Sequence, residues 1–134
     1  MFPLFFTLIS SIINEKPYTP DIKVGIIRKP QECKRIVTET SIVYCYLTAK
    51  VEGQALPIID TRISGNKIKI QMNSQRVIPG FIKGLEGACL GEIRKIIIPP
   101  GLAYGEQYVD GLFTPDSTWI VEVEVLEIIE AGSV

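Results

Sequence analysis

Alternation of hydrophobic and polar positions predicts an antiparallel sheet. Within residues 66–72, Ile68, Ile70 and Met72 are separated by single polar residues, a period of two that is typical of a strand with one buried face. Residues 119–128 alternate in the same way. Three further strands are predicted, from looser alternation or from β-branched and aromatic content, over residues 21–27, 41–51 and 93–98.

The spacing of apolar residues predicts one short helix over residues 79–88. Phe81, Leu85 and Ala88 recur at intervals of four and three, so they share one helix face. A helix this short cannot form the crossover that joins parallel strands. The predicted fold is therefore α+β, a curled antiparallel sheet of about five strands wrapped over one short helix. Residues 101–117 form a loop that we expect to be functional, because loops of this length are uncommon in compact domains.

The N-terminal residues differ in composition from the rest of the chain. Residues 2–13 are apolar except for one Thr and two Ser, and they are too few to span a bilayer, which takes about 20 residues. They match the hydrophobic region of a secretory signal peptide; the alternatives are a buried strand or a mitochondrial presequence, which should be richer in Arg. We predict a cleaved signal peptide at 1–14, a linker at 15–20, one folded domain at 21–129 and a short tail at 130–134. The expected location is the endoplasmic-reticulum lumen or the cell exterior.

Composition excludes several classes of function. The chain has 134 residues, with 14 Lys and Arg against 15 Asp and Glu, and no His. The net charge of −1 gives no electrostatic footprint for a nucleic acid. Without His, neither a Ser-His-Asp triad nor a Cys-His pair can form, and we predict neither a metal site nor a cofactor. Cys33, Cys45 and Cys89 allow at most one internal disulfide, with three possible pairings.

A set of short motifs in the second half of the chain is the most specific signal. They are V-I-P-G-F at 77–81, G-E-I-R at 91–94, I-P at 98–99, L-A-Y-G at 102–105 and V-E-V-L-E-I at 123–128. In sequence and spacing they resemble the FK506-binding-protein family of peptidyl-prolyl cis–trans isomerases, most closely its endoplasmic-reticulum branch. The resemblance extends over about residues 21–128 and is weak before Asn66.

The resemblance implies an activity, partners and a disulfide. The activity is isomerisation of X-Pro bonds in proline-containing client polypeptides during folding, by desolvation in an apolar pocket. Macrolides resembling FK506 or rapamycin are possible ligands in such a family, and a monomer without a membrane span is expected. The disulfide joins Cys33 to Cys89, which leaves Cys45 as a buried thiol.

The resemblance also assigns the residues of the pocket. The catalytic positions correspond to Asp60, Phe81 and Tyr104. The substrate-binding positions correspond to Tyr46, Ile59, Ile68, Val77, Ile78, Leu112, Phe113 and Val121. The backbone N–H of Ile78 and the hydroxyl of Tyr104 are the expected donors to substrate carbonyls. The assignment of Asp60 requires residues 54–57 to be an insertion, since otherwise Leu56 and Pro57 would fall at that position.

The chain departs from the family pattern in its aromatic residues. Ile59, Ile68 and Val121 stand where the family usually has aromatic walls, and Phe81 stands where it usually has Trp. Aromatic faces provide rigid contact area, so their loss should weaken the binding of proline and of macrolides. A second hypothesis is therefore kept beside the isomerase, a binding or chaperone module of the same fold with low activity.

Overall fold

One antiparallel sheet organises the part of the chain that the structure describes. The structure is a computed structural model and describes residues 20–107 and 109–130. Its strands are β1 (Lys23–Arg28), β2 (Ser41–Val51), β3 (Ile59–Asp60), β4 (Ile68–Gln71), β5 (Ile93–Ile98) and β6 (Trp119–Glu130). Its α-helices are α1 (Thr61–Ser64) and α2 (Pro79–Leu85), and a single 3-10 turn spans Pro100–Leu102.

The strand order is β1-β5-β6-β2-β3, and β4 pairs with the other end of β2. Every pairing is antiparallel. The longest ladder joins β2 to β6, from Ser41 opposite Glu130 to Val51 opposite Trp119, with a bulge between Tyr44 and Cys45. The predicted α+β fold, a curled antiparallel sheet with a short helix, is confirmed. The sheet has one strand more than the five predicted from the sequence.

The additional strand and helix are too short to produce a periodic pattern. β3 has two residues and α1 has four. Asp60 begins α1 as its N-cap, because the side chain accepts hydrogen bonds from the backbone N–H groups of Arg62 and Ile63. Gly65 ends it in the left-handed conformation, with φ at 73°. The pair of capping residues is the sequence signal for this turn of helix.

Helix α2 packs on β5 and closes one side of the core. It begins at Pro79 as predicted but ends at Leu85, three residues before the predicted end at Ala88, because Glu86 leaves the helical conformation and Gly87 has φ at 84°. Gly84 lets the backbones of α2 and β5 approach closely, because a Cβ at this position would lie 2.5 Å from Cγ2 of Ile96. The core between α2 and the sheet is formed by the buried side chains of alternate strand residues, among them Val43, Cys45, Ile96, Ile98, Val121, Val123 and Val125.

A buried ion pair connects the end of α2 to β5. Nε of Arg94 donates to a carboxylate oxygen of Glu92, and both residues are buried. Nη1 of Arg94 also donates to the carbonyls of Gly84, at 2.8 Å, and of Glu86, at 3.3 Å. The other oxygen of Glu92 accepts the backbone N–H of Cys89 at 3.4 Å. The pair therefore satisfies carbonyls that the C-terminus of the helix leaves without an intrahelical partner.

A disulfide lies beside this ion pair. It joins Cys33 to Cys89, the pairing that the resemblance implies, with a Cα–Cα distance of 5.4 Å. Closing a loop of this length stabilises the fold by roughly 4 kcal/mol in the chain-entropy treatment. Cys45 is free and buried, and its burial raises the pKa of the thiol to about 12. The protonated, enclosed thiol is therefore poorly reactive.

The predicted signal peptide at 1–14 lies outside the described residues, as does nearly all of the predicted linker. The division of the chain at these points stays a prediction. Within residues 20–107 and 109–130, no helix has the length and apolar character needed to cross a membrane.

Replacing Arg94 by Met should destabilise the fold by about 3–5 kcal/mol, because the Glu92 carboxylate would stay buried without its partner. The double variant Glu92→Gln/Arg94→Met should lose less than the sum of the two single losses, since neither charge is then left alone. Urea unfolding followed by circular dichroism gives the free energy of unfolding of the wild type, Arg94→Met, Glu92→Gln and the double variant. Lys95→Met, an exposed neighbour on the same strand, is the matched control. Strictly additive losses would show that the two side chains do not act as a pair.

Candidate functional site

A cavity of about 190 Å³ opens between the N-terminal end of α2 and the sheet. The side chains that line it come from four strands, from α2 and its preceding turn, and from the loop after β5. They are Leu47, Ala49, Ile59, Ile70, Arg76, Val77, Ile78, Phe81, Tyr104, Trp119 and Val121. Apart from Arg76 and Tyr104, the lining side chains are aliphatic or aromatic. The cavity therefore offers a largely apolar environment.

Six of the eleven residues assigned to the pocket from sequence line this cavity. They are Ile59, Val77, Ile78, Phe81, Tyr104 and Val121. The other five, Asp60, Tyr46, Ile68, Leu112 and Phe113, are not among the lining residues. Tyr46, Ile68 and Asp60 lie within two residues of a lining residue, whereas Leu112 and Phe113 line a separate depression.

Tyr46 is displaced by the alternation of β2. Successive side chains of a strand point to opposite faces, so Leu47 shares its face with Cys45 and Ala49, and Tyr46 lies on the other face. Leu47 and Ala49 line the cavity in its place. The bulge between Tyr44 and Cys45 places its extra residue, Leu126, on β6, so the alternation of β2 itself is unbroken.

Ile68 and Ile70 share a face of β4, but only Ile70 reaches the cavity. Ile68 packs against the core as a partly buried residue. The wall that the resemblance assigns to Ile68 is therefore formed by Ile70, two residues further along β4.

Asp60 acts on the site through the backbone. Its Oδ1 accepts the N–H groups of Arg62, at 3.2 Å, and Ile63, at 3.3 Å, and so begins α1. Thr61, the first residue of α1, accepts the Leu47 N–H at 2.8 Å through its hydroxyl oxygen. Asp60 thus helps to hold Leu47 of β2 and its own neighbour Ile59, both of which line the cavity.

The register of β3 bears on the predicted insertion at residues 54–57. Ile59 lies opposite Ala49 and Asp60 opposite Thr48, so the Ile-Asp pair is the one held against β2. Leu56 is 77% exposed and belongs to the connection between the two strands. This placement agrees with the interpretation of residues 54–57 as an insertion.

Leu112 and Phe113 lie on the loop after β5 and line a separate shallow depression with Gln54 and Asp110. Phe113 still contributes to the site indirectly, through an aromatic cluster. Its ring centroid lies 5.1 Å from that of Trp119 and 5.3 Å from that of Tyr104. The cluster fastens the loop to β6 beside the cavity.

Trp119 is the lining residue of most consequence that the sequence assignment missed. It is 5% exposed, and its ring centroid lies 5.5 Å from that of Tyr104. Its Nε1 is buried without a hydrogen-bond partner among the described residues. Trp119 is in phase with Val121 and Val123 on the buried face of β6, so the alternation of this strand was the available signal. An aromatic wall therefore enters from β6, although Phe81 and Val121 are smaller than the family's usual residues.

Two hydrogen-bonding groups border this apolar surface. The backbone N–H of Ile78 makes no hydrogen bond within the described residues. Tyr104 lines the cavity and is 41% exposed, and its hydroxyl can donate or accept. The site can therefore enclose an apolar group and hold polar backbone groups on either side of it.

Comparison with known proteins agrees with the motif resemblance. The family described as FKBP-type peptidyl-prolyl cis-trans isomerase matches residues 33–126. FK506-binding protein 2 of Yarrowia lipolytica is 34% identical over 131 residues, covering 96% of this chain and 90% of that protein. Peptidyl-prolyl cis-trans isomerase FPR2 of Saccharomyces cerevisiae is 33% identical over 137 residues, covering 96% of each. The crystal structure of FkpA from Escherichia coli shares the fold, with a TM-score of 0.71 at 20% identity, over 93% of this chain and 58% of that one.

Trp119 should report occupation of the cavity, because it is the one tryptophan of the chain and lines the site. Titration with a proline-containing tetrapeptide should change its fluorescence emission in a saturable way. The same peptide with Ala in place of Pro is the control and should have a much smaller effect. Calorimetric binding of the proline peptide with no change in emission would place the binding site elsewhere.

Proposed function

Because the chain belongs to the FKBP-type peptidyl-prolyl cis-trans isomerase family, we propose that it catalyses cis–trans isomerisation of X-Pro bonds in polypeptides. The cavity between α2 and the sheet is the proposed active site. The observation that carries this proposal is the convergence of Phe81, Tyr104, Ile78 and Trp119 on one largely apolar cavity.

The reaction requires an environment more than a reactive group. Rotation about the amide bond is slow because resonance gives the C–N bond partial double-bond character, with a barrier of ~18–20 kcal/mol. The planar amide is charge-separated and well solvated in water, whereas the twisted amide is less polar. An apolar cavity therefore favours the twisted form over the planar one, and a site that binds the transition state better than the substrate accelerates the reaction. No bond is broken, so no nucleophile is needed.

The lining residues have separate roles in this mechanism. The prolyl ring packs on Phe81 and Trp119, with Val77 and Val121 completing the apolar enclosure. The Ile78 N–H donates to one substrate carbonyl, and the Tyr104 hydroxyl donates to another. Asp60 is a positioning residue, since its carboxylate caps α1 and lies outside the lining.

The size of the cavity favours a peptide substrate over a bulky ligand. Sites for drug-sized molecules usually have volumes of about 300–1,000 Å³, and this cavity has about 190 Å³. We propose proline-containing client polypeptides as substrates, and weak binding of FK506-like or rapamycin-like macrolides.

The disulfide supports a role in the secretory pathway. Disulfides persist in oxidising compartments and are rare in the cytosol, and Cys33 and Cys89 are joined in the structure. We propose that the protein assists the folding of proline-containing chains in the endoplasmic reticulum or after secretion, acting as a monomer.

The alternative function, a binding or chaperone module with low activity, was suggested by the loss of aromatic walls. Ile59 and Val121 are indeed aliphatic lining residues. Trp119, however, supplies an aromatic surface from β6, and Tyr104 lies beside it. The presence of this surface favours the isomerase.

Phe81→Ala should lower kcat/KM on a proline tetrapeptide more than Tyr104→Phe does. The first substitution opens the apolar enclosure to water, whereas the second removes one hydrogen bond and should cost about two- to tenfold. Phe81 is buried, and truncating a core Phe costs about 3–5 kcal/mol of stability. Phe81→Leu, with unfolding measured in parallel, therefore serves as the milder variant.

Tyr46→Phe is the matched control for Tyr104→Phe. It also removes one phenolic hydroxyl, but from the face of β2 that points away from the cavity. It should leave kcat/KM unchanged. A thousandfold loss in Tyr104→Phe would indicate proton transfer and contradict the desolvation mechanism. Equal effects of the two Tyr→Phe substitutions would contradict the assignment of the cavity as the active site.

A further inference from the structure

The cavity contains one charged side chain, and it is cationic. Arg76 is the single charged residue among the eleven that line it. It stands immediately before Val77 and Ile78, and its backbone N–H donates to the hydroxyl oxygen of Ser74 at 3.1 Å, which orders the turn that precedes α2. The stem of an Arg side chain packs on apolar surface while its guanidinium stays in solvent, so the exposed Arg76 places a positive charge at the mouth of the cavity.

Arg76 also differs from the other four arginines of the described chain in lacking a partner. Arg62 pairs with Glu124 at 3.2 Å, and Arg28 approaches the same carboxylate at 3.7 Å. Arg94 pairs with Glu92, and Arg35 donates to the carbonyl of Ile128 at 2.8 Å. Within the described residues, the guanidinium of Arg76 takes part in no ion pair.

No carboxylate of the site neutralises Arg76. Asp60, the acidic residue assigned to the pocket from sequence, is not a lining residue. Its Oδ1 accepts the backbone hydrogen bonds that cap α1. The acidic residues of the loop after β5, namely Glu106, Asp110 and Asp116, lie on the segment that carries Tyr104 and are not lining residues either. The mouth of the cavity is therefore cationic on the side of α2, and the Tyr104 loop is anionic.

We propose that Arg76 is a specificity-determining residue that makes the cavity prefer prolines next to an acidic side chain. This inference rests on the proposed function. Arg76 precedes Ile78 by two residues and lines the same cavity, so its long side chain borders the place where a peptide held by the Ile78 N–H would lie. The guanidinium fork matches a carboxylate and can donate two parallel hydrogen bonds to it. The anionic loop disfavours the same acidic side chain on the side of Tyr104.

The size of the effect follows from the exposure of Arg76. Ion pairs at solvent-exposed positions are weak and are screened by salt. We therefore expect a preference of about three- to fivefold in kcat/KM for a Glu peptide over a matched Lys peptide. The preference should appear mainly in KM, because the contact is made in both the ground state and the transition state.

The test compares tetrapeptides that differ only in the residue next to proline, Glu or Lys, placed before the proline in one set and after it in another. The ratio of kcat/KM for Glu over Lys is measured for the wild type, Arg76→Gln and Arg76→Glu. In the set that places the side chain near Arg76, the ratio should fall to about one in Arg76→Gln and should invert in Arg76→Glu. It should also shrink at high salt.

Arg62→Gln is the matched control, since Arg62 is paired with Glu124 and lies outside the cavity lining. Its ratio should equal that of the wild type. A Glu-over-Lys ratio that Arg76→Gln and Arg76→Glu both leave unchanged in both peptide sets would overturn the proposal.

The same peptides distinguish this proposal from the proposed function. If no peptide is isomerised, the ratio of dissociation constants is measured from Trp119 fluorescence. A Glu preference in binding that inverts in Arg76→Glu would then support the role of Arg76 while contradicting the isomerase. Turnover without any charge preference would support the isomerase and overturn the role of Arg76. Neither turnover nor binding would overturn both.

Discussion

The buried Arg94–Glu92 ion pair is the interaction on which the position of the site depends. Arg94 on β5 holds the carbonyls of Gly84 and Glu86 at one end of α2, and Glu92 holds the backbone N–H of Cys89 in the disulfide. The opposite end of the same helix presents Phe81 to the cavity. Because a seven-residue helix has little stability of its own, its orientation relies on such tertiary contacts. The geometry of the cavity is thus set in part by a pair of charges outside its lining.

The sequence predicted the parts of the fold that repeat. The strict alternation of β4 and β6 and the helical spacing of Phe81 and Leu85 identified three elements close to their observed limits. β3 and α1 were not predicted, because two and four residues are too few to show a period. The Arg94–Glu92 pair was visible as part of a motif, but its role depends on contacts with residues eight and ten positions away that only the fold brings together.

The site residues were predictable where family motifs are dense. They were less predictable on the strands, where the prediction depends on which alternate side chains face the cavity. Val77, Ile78, Phe81 and Tyr104 lie in the motif-rich stretch, and all four line the cavity. On β2 the assignment to Tyr46 misses the cavity by one residue, because Leu47 shares the alternating face of Cys45 and Ala49. Trp119 could have been found from its phase with Val121. Trp119 thereby supplies an aromatic surface two residues before Val121 on the same strand.

We propose that this cavity accelerates X-Pro isomerisation and does not merely bind proline. Nuclear magnetic resonance exchange spectroscopy on a proline tetrapeptide, with the protein at a small fraction of the peptide concentration, measures the cis–trans interconversion directly. We predict that the exchange rate rises in proportion to the protein concentration, above the uncatalysed interconversion that takes tens to hundreds of seconds. Saturable binding of the peptide with interconversion still at the uncatalysed rate would contradict the claim and identify the protein as a binding module of the same fold.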